Sequence, residues 1–385
     1  MRCTRCTERR AVLRRPLTGA ALCRPCFFFV FESEVDAAVQ RGRLFLPGER
    51  VAIGASGGKD SAVLAHVLKE LNERCNYRVH LSLLSVDEGI SGYRDASLAA
   101  VCREQQRHGL PLRIISYQDL YGWTMDKIVQ QIGRRGNCTY CGVLRRGALE
   151  RGARELGSFD NRETGTQEHS KRGKDCYSER VKNNEDKEEI QVAKEKQIVE
   201  GGIEGECSDS GDRATSGQES VAVLATGHNA DDMAETVLLN VLRGDVARLS
   251  RGLHARTAGQ DGSVPRCKPL LYSYEKEIVM YAHFKQLDYF STECTYSPAA
   301  YRGHARALIK AAERVRPGVV LATLHSGQNM RPASGVNTPR RGVCSKCGFT
   351  ASTSICTSCN LLEGLDKGLA RRKIGKDEVK NEKHL

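Results

Sequence analysis

No stretch of this 385-residue chain is apolar for long enough to cross a bilayer, which takes about 20 consecutive residues. The densest apolar cluster, FFFVF at 27–31, is far too short, and it follows two cysteines rather than the basic n-region of a signal peptide. An intracellular protein with no membrane partner is expected. A Walker A loop is also missing: it needs G-x-x-x-x-G-K-[ST], and after Gly54-Ala55 only Ser56 precedes the glycine pair. Nothing resembles the glutaminase or other ammonia source that an amidotransferase would need. Residues 158–220 have few apolar side chains and almost no aromatics, with Lys, Glu, Asp, Gly and Ser mixed throughout. Such a stretch cannot bury a core and reads as a disordered charged insertion.

What is abundant is positive charge and cysteine. The formal net charge is +12 and the pI about 9.0, which suits a polyanionic partner. Sixteen cysteines in an intracellular chain do not read as disulfides. Five Cys-x-x-Cys pairs stand out, while Cys75, Cys102, Cys176, Cys207, Cys267 and Cys294 stand alone. Cys3-x2-Cys6-x16-Cys23-x2-Cys26 has the two-knuckle spacing of a four-thiolate zinc site and marks an N-terminal zinc finger at 1–26. Cys344-x2-Cys347-x8-Cys356-x2-Cys359 marks a C-terminal one at 340–362, followed by a charged tail at 363–385. Peptides this small need the metal to fold. Arg2, Arg5, Arg9, Arg10, Arg14 and Arg15 could touch RNA phosphates or simply keep the first module soluble.

Between the modules, hydrophobic periodicity alternates between short apolar runs and helical faces. Residues 51–55 read as a buried strand, and Val63, Leu64, Val67, Leu68 and Leu71 fall at helical spacing after it. The turn joining them is Ser56-Gly57-Gly58-Lys59-Asp60-Ser61. Strand, glycine turn and helix N-terminus together make an anion site, because backbone N–H groups and the helix dipole both favour negative charge. Gly57 and Gly58 allow close backbone approach, Lys59 adds a cation, and Ser56 and Ser61 add hydroxyls. A second strand at 78–86 ends at Asp87-Glu88, a third lies at 111–117, and helices are expected at 27–40 and 96–107. The alternation argues a doubly wound parallel α/β sheet with its core at 27–157 and 221–328.

Three further stretches carry candidate chemistry. GNCTYCG at 136–142 sets Cys138 and Cys141 at the start of a helix over 143–156, where a thiolate pKa is lowered and metal ligation or sulfur chemistry is favoured. A structural pair is the alternative. A strand at 221–225 runs into Thr226-Gly227-His228-Asn229-Ala230-Asp231-Asp232 and a helix over 233–242. Asp231 could bind magnesium or move a proton, and Asp231 and Asp232 could equally be N-cap residues. In RCKPL at 266–270, Cys267 by itself reads as a buried apolar thiol. Basic residues over 243–256 and 301–316 could wall an RNA cleft or form a solvated face.

SGGKDS at 56–61, GNCTYCGVLRR at 136–146, TGHNADDMAETVLLN at 226–240, RCKPL at 266–270, ECTYSPAAYRGHAR at 293–306 and both knuckles agree in order and spacing with one family. The chain resembles the TtcA/TtuA-like PP-loop ATP pyrophosphatases, and within them the catalytic subunits of tRNA 2-thiolation. The resemblance covers all but 158–220 and the tail. It implies the adenine nucleotide alpha-hydrolase-like fold with zinc-binding modules at both ends. It implies a cytoplasmic, ATP-dependent tRNA sulfurtransferase that adenylates O2 of wobble uridine 34 and replaces it with sulfur on the way to mcm5s2U.

By the same resemblance, Ser56, Gly57, Gly58, Lys59, Asp60 and Ser61 hold pyrophosphate with Mg2+, Val86 and Asp87 flank adenosine, and Gly227 and His228 join the nucleotide site. Asp231 serves magnesium or a proton. Arg145, where prokaryotic relatives tend to have lysine, stabilises charge, since arginine keeps its proton. Cys138, Cys141 and Cys267 hold a 4Fe–4S cluster, whose fourth iron stays open to sulfide. The runner-up mechanism makes Cys138 a persulfide carrier and Cys267 its resolving partner. Implied partners are the tRNA anticodon region, a second tRNA 2-thiolation subunit, and a ubiquitin-related modifier carrying thiocarboxylate sulfur. One departure is Ala62 where the family has Thr. The rivals are an ATP-dependent amidotransferase or ligase with the same loop, and a non-catalytic zinc-dependent tRNA-binding scaffold.

Overall fold

The computed structural model describes residues 1–134, 136–158, 222–257, 263–292, 294–297, 300–331 and 342–368. The expected insertion at 158–220 lies outside them except for Ser158, as does the tail beyond 368. A short antiparallel hairpin, β1 (Leu13–Arg14) and β2 (Ala21–Leu22), leads into α1 (Arg24–Arg41). Then come β3 (Arg50–Gly54), α2 (Lys59–Arg74), β4 (His80–Asp87), α3 (Arg94–His108), β5 (Leu112–Ser116), α4 (Tyr117–Tyr121), α5 (Met125–Ile132) and α6 (Asn137–Ser158). The chain continues with β6 (Val223–Ala225), α7 (Ala230–Arg243), α8 (Val246–Gly252), β7 (Arg256–Thr257), β8 (Arg266–Cys267), α9 (Glu275–Phe284), α10 (Arg302–Val315) and α11 (Val319–Asn329). The C-terminal module has the hairpin β9 (Gly342–Val343) and β10 (Thr350–Ala351), then α12 (Thr357–Asp366).

One sheet runs β5-β4-β3-β6-β8-β7, parallel except for the β7–β8 pair. Strand order reverses between β3 and β6, so their loops leave the carboxyl edge side by side, at the switch point where such sheets bind ligands. Side chains alternate across the sheet. Val51, Ile53, Val223, Ala225 and Cys267 belong to one apolar core, with α1, α2 and α9 over it. Ala52, Leu84 and Leu224 belong to the other, with Tyr140, Leu144 and Ala148 of α6 and Leu361 and Leu365 of α12.

The main strands and long helices lie where the periodicity puts them, with ends shifted by a few residues. Two boundaries need correction. Arg24 to Cys26 already belong to α1, so the first module and the core share a helix and no linker separates them at 26. The tail does not begin at 363: α12 runs to Asp366, buries Leu365, and is tied down by Trp123 Nε1 donating to Asp366 (3.0 Å) and Gln131 Nε2 donating to the Leu365 carbonyl (2.6 Å).

Candidate active site

The glycine turn is the junction between β3 and α2. Gly58 is the N-cap of α2 and supplies no side-chain acceptor, so the first N–H groups of the helix face outward unsatisfied. The turn is fixed from within and from behind. Ser61 Oγ donates to the Gly58 carbonyl (2.9 Å) and accepts from Ser56 N (3.2 Å). Ser97 Oγ donates to the Ser56 carbonyl (3.0 Å), and Phe290 N to the Gly57 carbonyl (2.7 Å). Gly57 has φ +71°, and a Cβ there would lie 2.5 Å from the Ser97 carbonyl oxygen. Only glycine fits. Uncapped N–H groups at a helix start suit a phosphate.

The second loop lies against the first. A Cβ on Gly227 would come within 3.0 Å of the Asp60 carbonyl, so glycine is what lets them touch. Asn229 Nδ2 donates to Asp60 Oδ1 (3.0 Å), while the Asn229 side-chain oxygen accepts from Asp232 N (2.9 Å) in a capping box that starts α7. His228 Nδ1 pairs with Thr226 Oγ1 (2.8 Å). Desolvation and the cations Lys268, Arg302 and Arg266 push the His228 pKa down to about 4, an effect that its exposed face moderates. This side chain stays neutral at ordinary pH.

Asp231 does not serve this loop. Its Oδ2 accepts from the backbone N of Glu275 (2.7 Å) and its Oδ1 pairs with Lys310 (2.7 Å), which turns the carboxylate toward α9 and α10. Asp232 is the one whose charge acts on Asp60, and its own carboxylate is paired with Arg302 (3.1 Å). Burial raises the pKa values of Asp60 and Asp232, and each is close enough to a neighbouring carboxylate to be raised further, Asp60 by Asp232 itself. Each carboxylate has a cation of its own, Lys59 at 3.2 Å from Asp60 and Arg302 at 3.1 Å from Asp232, which opposes that rise.

Val86 and Asp87 lie at the carboxyl end of β4, as expected. Asp87 is buried, accepts from Gly89 N (2.9 Å) and pairs with Arg94. Glu88 reaches the other way and pairs with Arg145 (2.7 Å), whose Nη2 lies 3.5 Å from Cys141 Sγ. Arg145 thus connects the nucleotide edge of the sheet to the cysteine pair.

Cys138 and Cys141 occupy the first turn of α6, and Tyr117 donates from its buried hydroxyl to the Cys141 carbonyl (2.9 Å). Their thiol pKa values are raised, not lowered as the helix start predicts. Desolvation dominates at both, opposed by Arg145 and reinforced by Cys294. Among the described residues, the one other sulfur whose charge acts on both is Cys294. It packs against the same core as Cys141, with Tyr296 beside it, and its charge acts on Cys138, Cys141 and Tyr93. Tyr296 holds the segment by donating to Asp126 (2.7 Å).

Cys267 is not part of this group. It sits in register with Ala225, on the opposite face of the sheet from α6, fully buried in the other core. Its charged neighbours are Arg256, Glu49 and Lys268, and burial raises its pKa. The geometry corrects the Cys138, Cys141, Cys267 ligand set and removes Cys267 as a resolving partner for a persulfide on Cys138.

Each end module gathers four thiols. The ligand atoms of Cys3, Cys6, Cys23 and Cys26 lie within 4.8 Å of one another, as do those of Cys344, Cys347, Cys356 and Cys359. Cys6 and Cys23 sulfurs are 3.8 Å apart and those of Cys347 and Cys356 3.6 Å. A tetrahedron with metal–sulfur bonds of about 2.3 Å has edges of about 3.8 Å. Within each group backbone N–H donors bring one thiol, Cys3 or Cys344, down to about 6, while burial and the neighbouring sulfurs push Cys26 and Cys359 up.

A model of the PP-loop domain matches residues 213–312. Cytoplasmic tRNA 2-thiolation protein 1 of Xenopus laevis is 49% identical over 385 residues, covering 100% of this chain and 94% of that protein. The Danio rerio protein of that name is 50% identical, covering 98% and 92%, and the Arabidopsis thaliana one 49%, covering 99% and 90%. Among solved structures, the U34-tRNA thiolase NcsA from Methanococcus maripaludis, described with its 4Fe–4S cluster, has a TM-score of 0.68 at 23% identity over 95% of this chain and 96% of that one, a shared fold. With about half its residues identical to these relatives across nearly its whole length, the chain belongs to the cytoplasmic tRNA 2-thiolation protein 1 family.

Proposed function

We infer that the protein is a cytoplasmic, ATP-dependent tRNA sulfurtransferase that 2-thiolates wobble uridine 34. One observation carries this beyond the family name. The Glu88–Arg145 pair joins the carboxyl edge of β4 to Cys141, and the charge of Cys294 acts on both Cys141 and Cys138, which supports oxygen activation and sulfur delivery at one edge of the sheet.

The N–H groups at the start of α2 hold the departing pyrophosphate, with Lys59 as their cation. Asp60 and Asp232 would hold magnesium in place of Lys59 and Arg302, the cations that pair with them now. The uridine C2 oxygen attacks the α-phosphorus of ATP, and AMP on that oxygen becomes the leaving group. Val86 and Asp87 border the adenosine, and His228, neutral, hydrogen bonds without adding charge. Cys138, Cys141 and Cys294 suit a 4Fe–4S cluster with one open iron, and such a cluster supplies activated sulfur to C2. Arg145 holds positive charge beside Cys141 while negative charge builds at the adenylated C2.

Structural zinc fits both four-thiol modules. The target base must leave the anticodon stack to reach this depth. Arg146 on α6 has no ion-pair partner among the described residues, and it lies near Arg248 and Arg266, whose charges lower its pKa after desolvation. That cluster suits RNA phosphates. The reading includes a second tRNA 2-thiolation subunit and a ubiquitin-related modifier whose thiocarboxylate delivers the sulfur.

The test is anaerobic single-turnover thiolation of a tRNA anticodon stem, following AMP and 2-thiouridine together. Lys59→Ala should abolish both products. Thiolation by that variant would refute the pyrophosphate role of the loop.

A further inference from the structure

Lys59 does not point freely at the phosphate cradle. Its Nζ is paired with Asp60 (3.2 Å) and with Glu275 Oε1 (3.0 Å), the first residue of α9. The other Glu275 oxygen pairs with Lys310 of α10 (2.9 Å). Lys310 is in turn held by Asp231 Oδ1 (2.7 Å), and Asp231 Oδ2 fixes the Glu275 backbone N–H (2.7 Å). Asp231 is buried, whereas Lys59, Glu275 and Lys310 are each about a quarter to two-fifths exposed on their side chains. The order from core to cradle is thus Asp231, Lys310, Glu275, Lys59.

An ammonium cannot serve a carboxylate and an incoming phosphate equally well. Pyrophosphate oxygens at the start of α2 must draw Lys59 away from Glu275. That would leave a carboxylate beside a polyanion unless another cation already neutralised it. Lys310 is that cation. It is anchored from behind and does not have to move.

We propose that Glu275 and Lys310 are positioning residues for the loop lysine: Glu275 parks Lys59 while the cradle is empty, and Lys310 neutralises Glu275 so that Lys59 can be released to the phosphates of ATP. Neither residue needs to touch the nucleotide. The proposal rests on the reading of residues 56–61 as the pyrophosphate site.

The test is a double-mutant cycle on the full-length protein, with a non-hydrolysable ATP analogue and magnesium as the probe. Lys310→Met should weaken binding roughly tenfold, because Glu275 then keeps Lys59 and repels phosphate. Glu275→Gln should leave binding equal to wild type or up to roughly threefold tighter, since one of the two carboxylates that hold Lys59 is gone and only Asp60 remains. The double variant should bind like Glu275→Gln, and Lys310→Arg like wild type.

In steady-state thiolation, Lys310→Met should raise KM for ATP with kcat little changed. Equal cost of Lys310→Met in both backgrounds would mean that Lys310 touches phosphate directly, and would overturn the proposal. A fall in melting temperature with no change in analogue binding would do the same, by leaving the pair a purely structural role. If Lys310→Met fails to fold, loosened binding by Glu275→Gln alone decides against it. If the wild-type protein does not bind the analogue, the pyrophosphate reading itself has failed.

Discussion

Exchanging Cys294 and Cys267 for serine, one at a time, separates a ligand from a core thiol. Cys267 is fully buried against Val223 and Ala225 on the face away from α6. A serine hydroxyl there meets apolar side chains, and burying an unpaired hydroxyl costs about 1–3 kcal/mol. At about 2–4 °C per kcal/mol for a chain of this order, the melting temperature should fall by roughly 2–12 °C. Iron should stay.

Cys294 is half-buried at the rim of the cleft, where a one-atom change costs within about 0.5 kcal/mol. Its variant should melt with wild type when both lack iron, yet lose most of its iron and acid-labile sulfide after anaerobic reconstitution, along with the brown absorbance. The two variants are predicted to fail in opposite ways: one in stability with its iron intact, the other in iron with its stability intact. The reasoning is refuted if Cys294→Ser retains full iron while a folded Cys267→Ser loses it.

Gly57→Ala should lower the melting temperature of the nucleotide-free protein by roughly 2–8 °C, since the left-handed backbone alone costs about 1–2 kcal/mol and the Cβ meets the Ser97 carbonyl at 2.5 Å. Gly58→Ala, whose Cβ would find only Ser56 Oγ at 3.4 Å, should melt with wild type; equal losses at both positions would rule out the steric account. Glu104 on α3 is buried with one oxygen unpartnered, and desolvation alone pushes its pKa up to about 7. Its folded pKa is raised, so the stability it lends is full below the unfolded value near 4.3 and is lost as pH rises through about 7. Glu104→Gln should therefore gain melting temperature over wild type progressively between about pH 4.3 and 7 and level off above that, and a pH-independent difference would show that the carboxyl is not held protonated.

Much of the fold is legible from periodicity because it is built from long elements. The apolar run before Ser56 and the helical spacing after it can only make a strand, a turn and a helix. What stays hidden is what depends on side chains meeting across elements. A two-residue strand such as Arg266–Cys267 has no period to detect, and α11 follows a stretch of turn residues around Gly318. The lowered thiol pKa expected for a Cys pair at a helix start rests on the dipole alone. At Cys138 and Cys141 desolvation outweighs it, and desolvation is a property of what packs nearby. The parity of Cys267 was within reach in principle. Once β8 is known to pair with β6, its register with Ala225 places the sulfur on the side of α2 and α9, away from α6. Without that pairing, nothing in RCKPL distinguishes the two faces, and Cys294, inside ECTYSPAAYRGHAR, has no partner cysteine to mark it.

Asp231 and Asp232 show the same limit at the scale of one helical turn. Neighbouring helical residues project about 100° apart, so of two adjacent carboxylates at the start of α7 only one can face the glycine turn. Composition and spacing treat them alike. The choice is made by Asn229. As N-cap it takes the N3 amide, which is that of Asp232, and the Asp232 carboxylate folds back to the Asn229 N–H (3.4 Å). The carboxylate that closes the capping box is thereby drawn toward the loop entering the helix, beside Asp60, and the one before it is turned to α9 and α10. The capping box thus settles two roles at once. Asp232 is left beside Asp60 and paired with Arg302, and Asp231 is left to anchor the lysine behind Glu275.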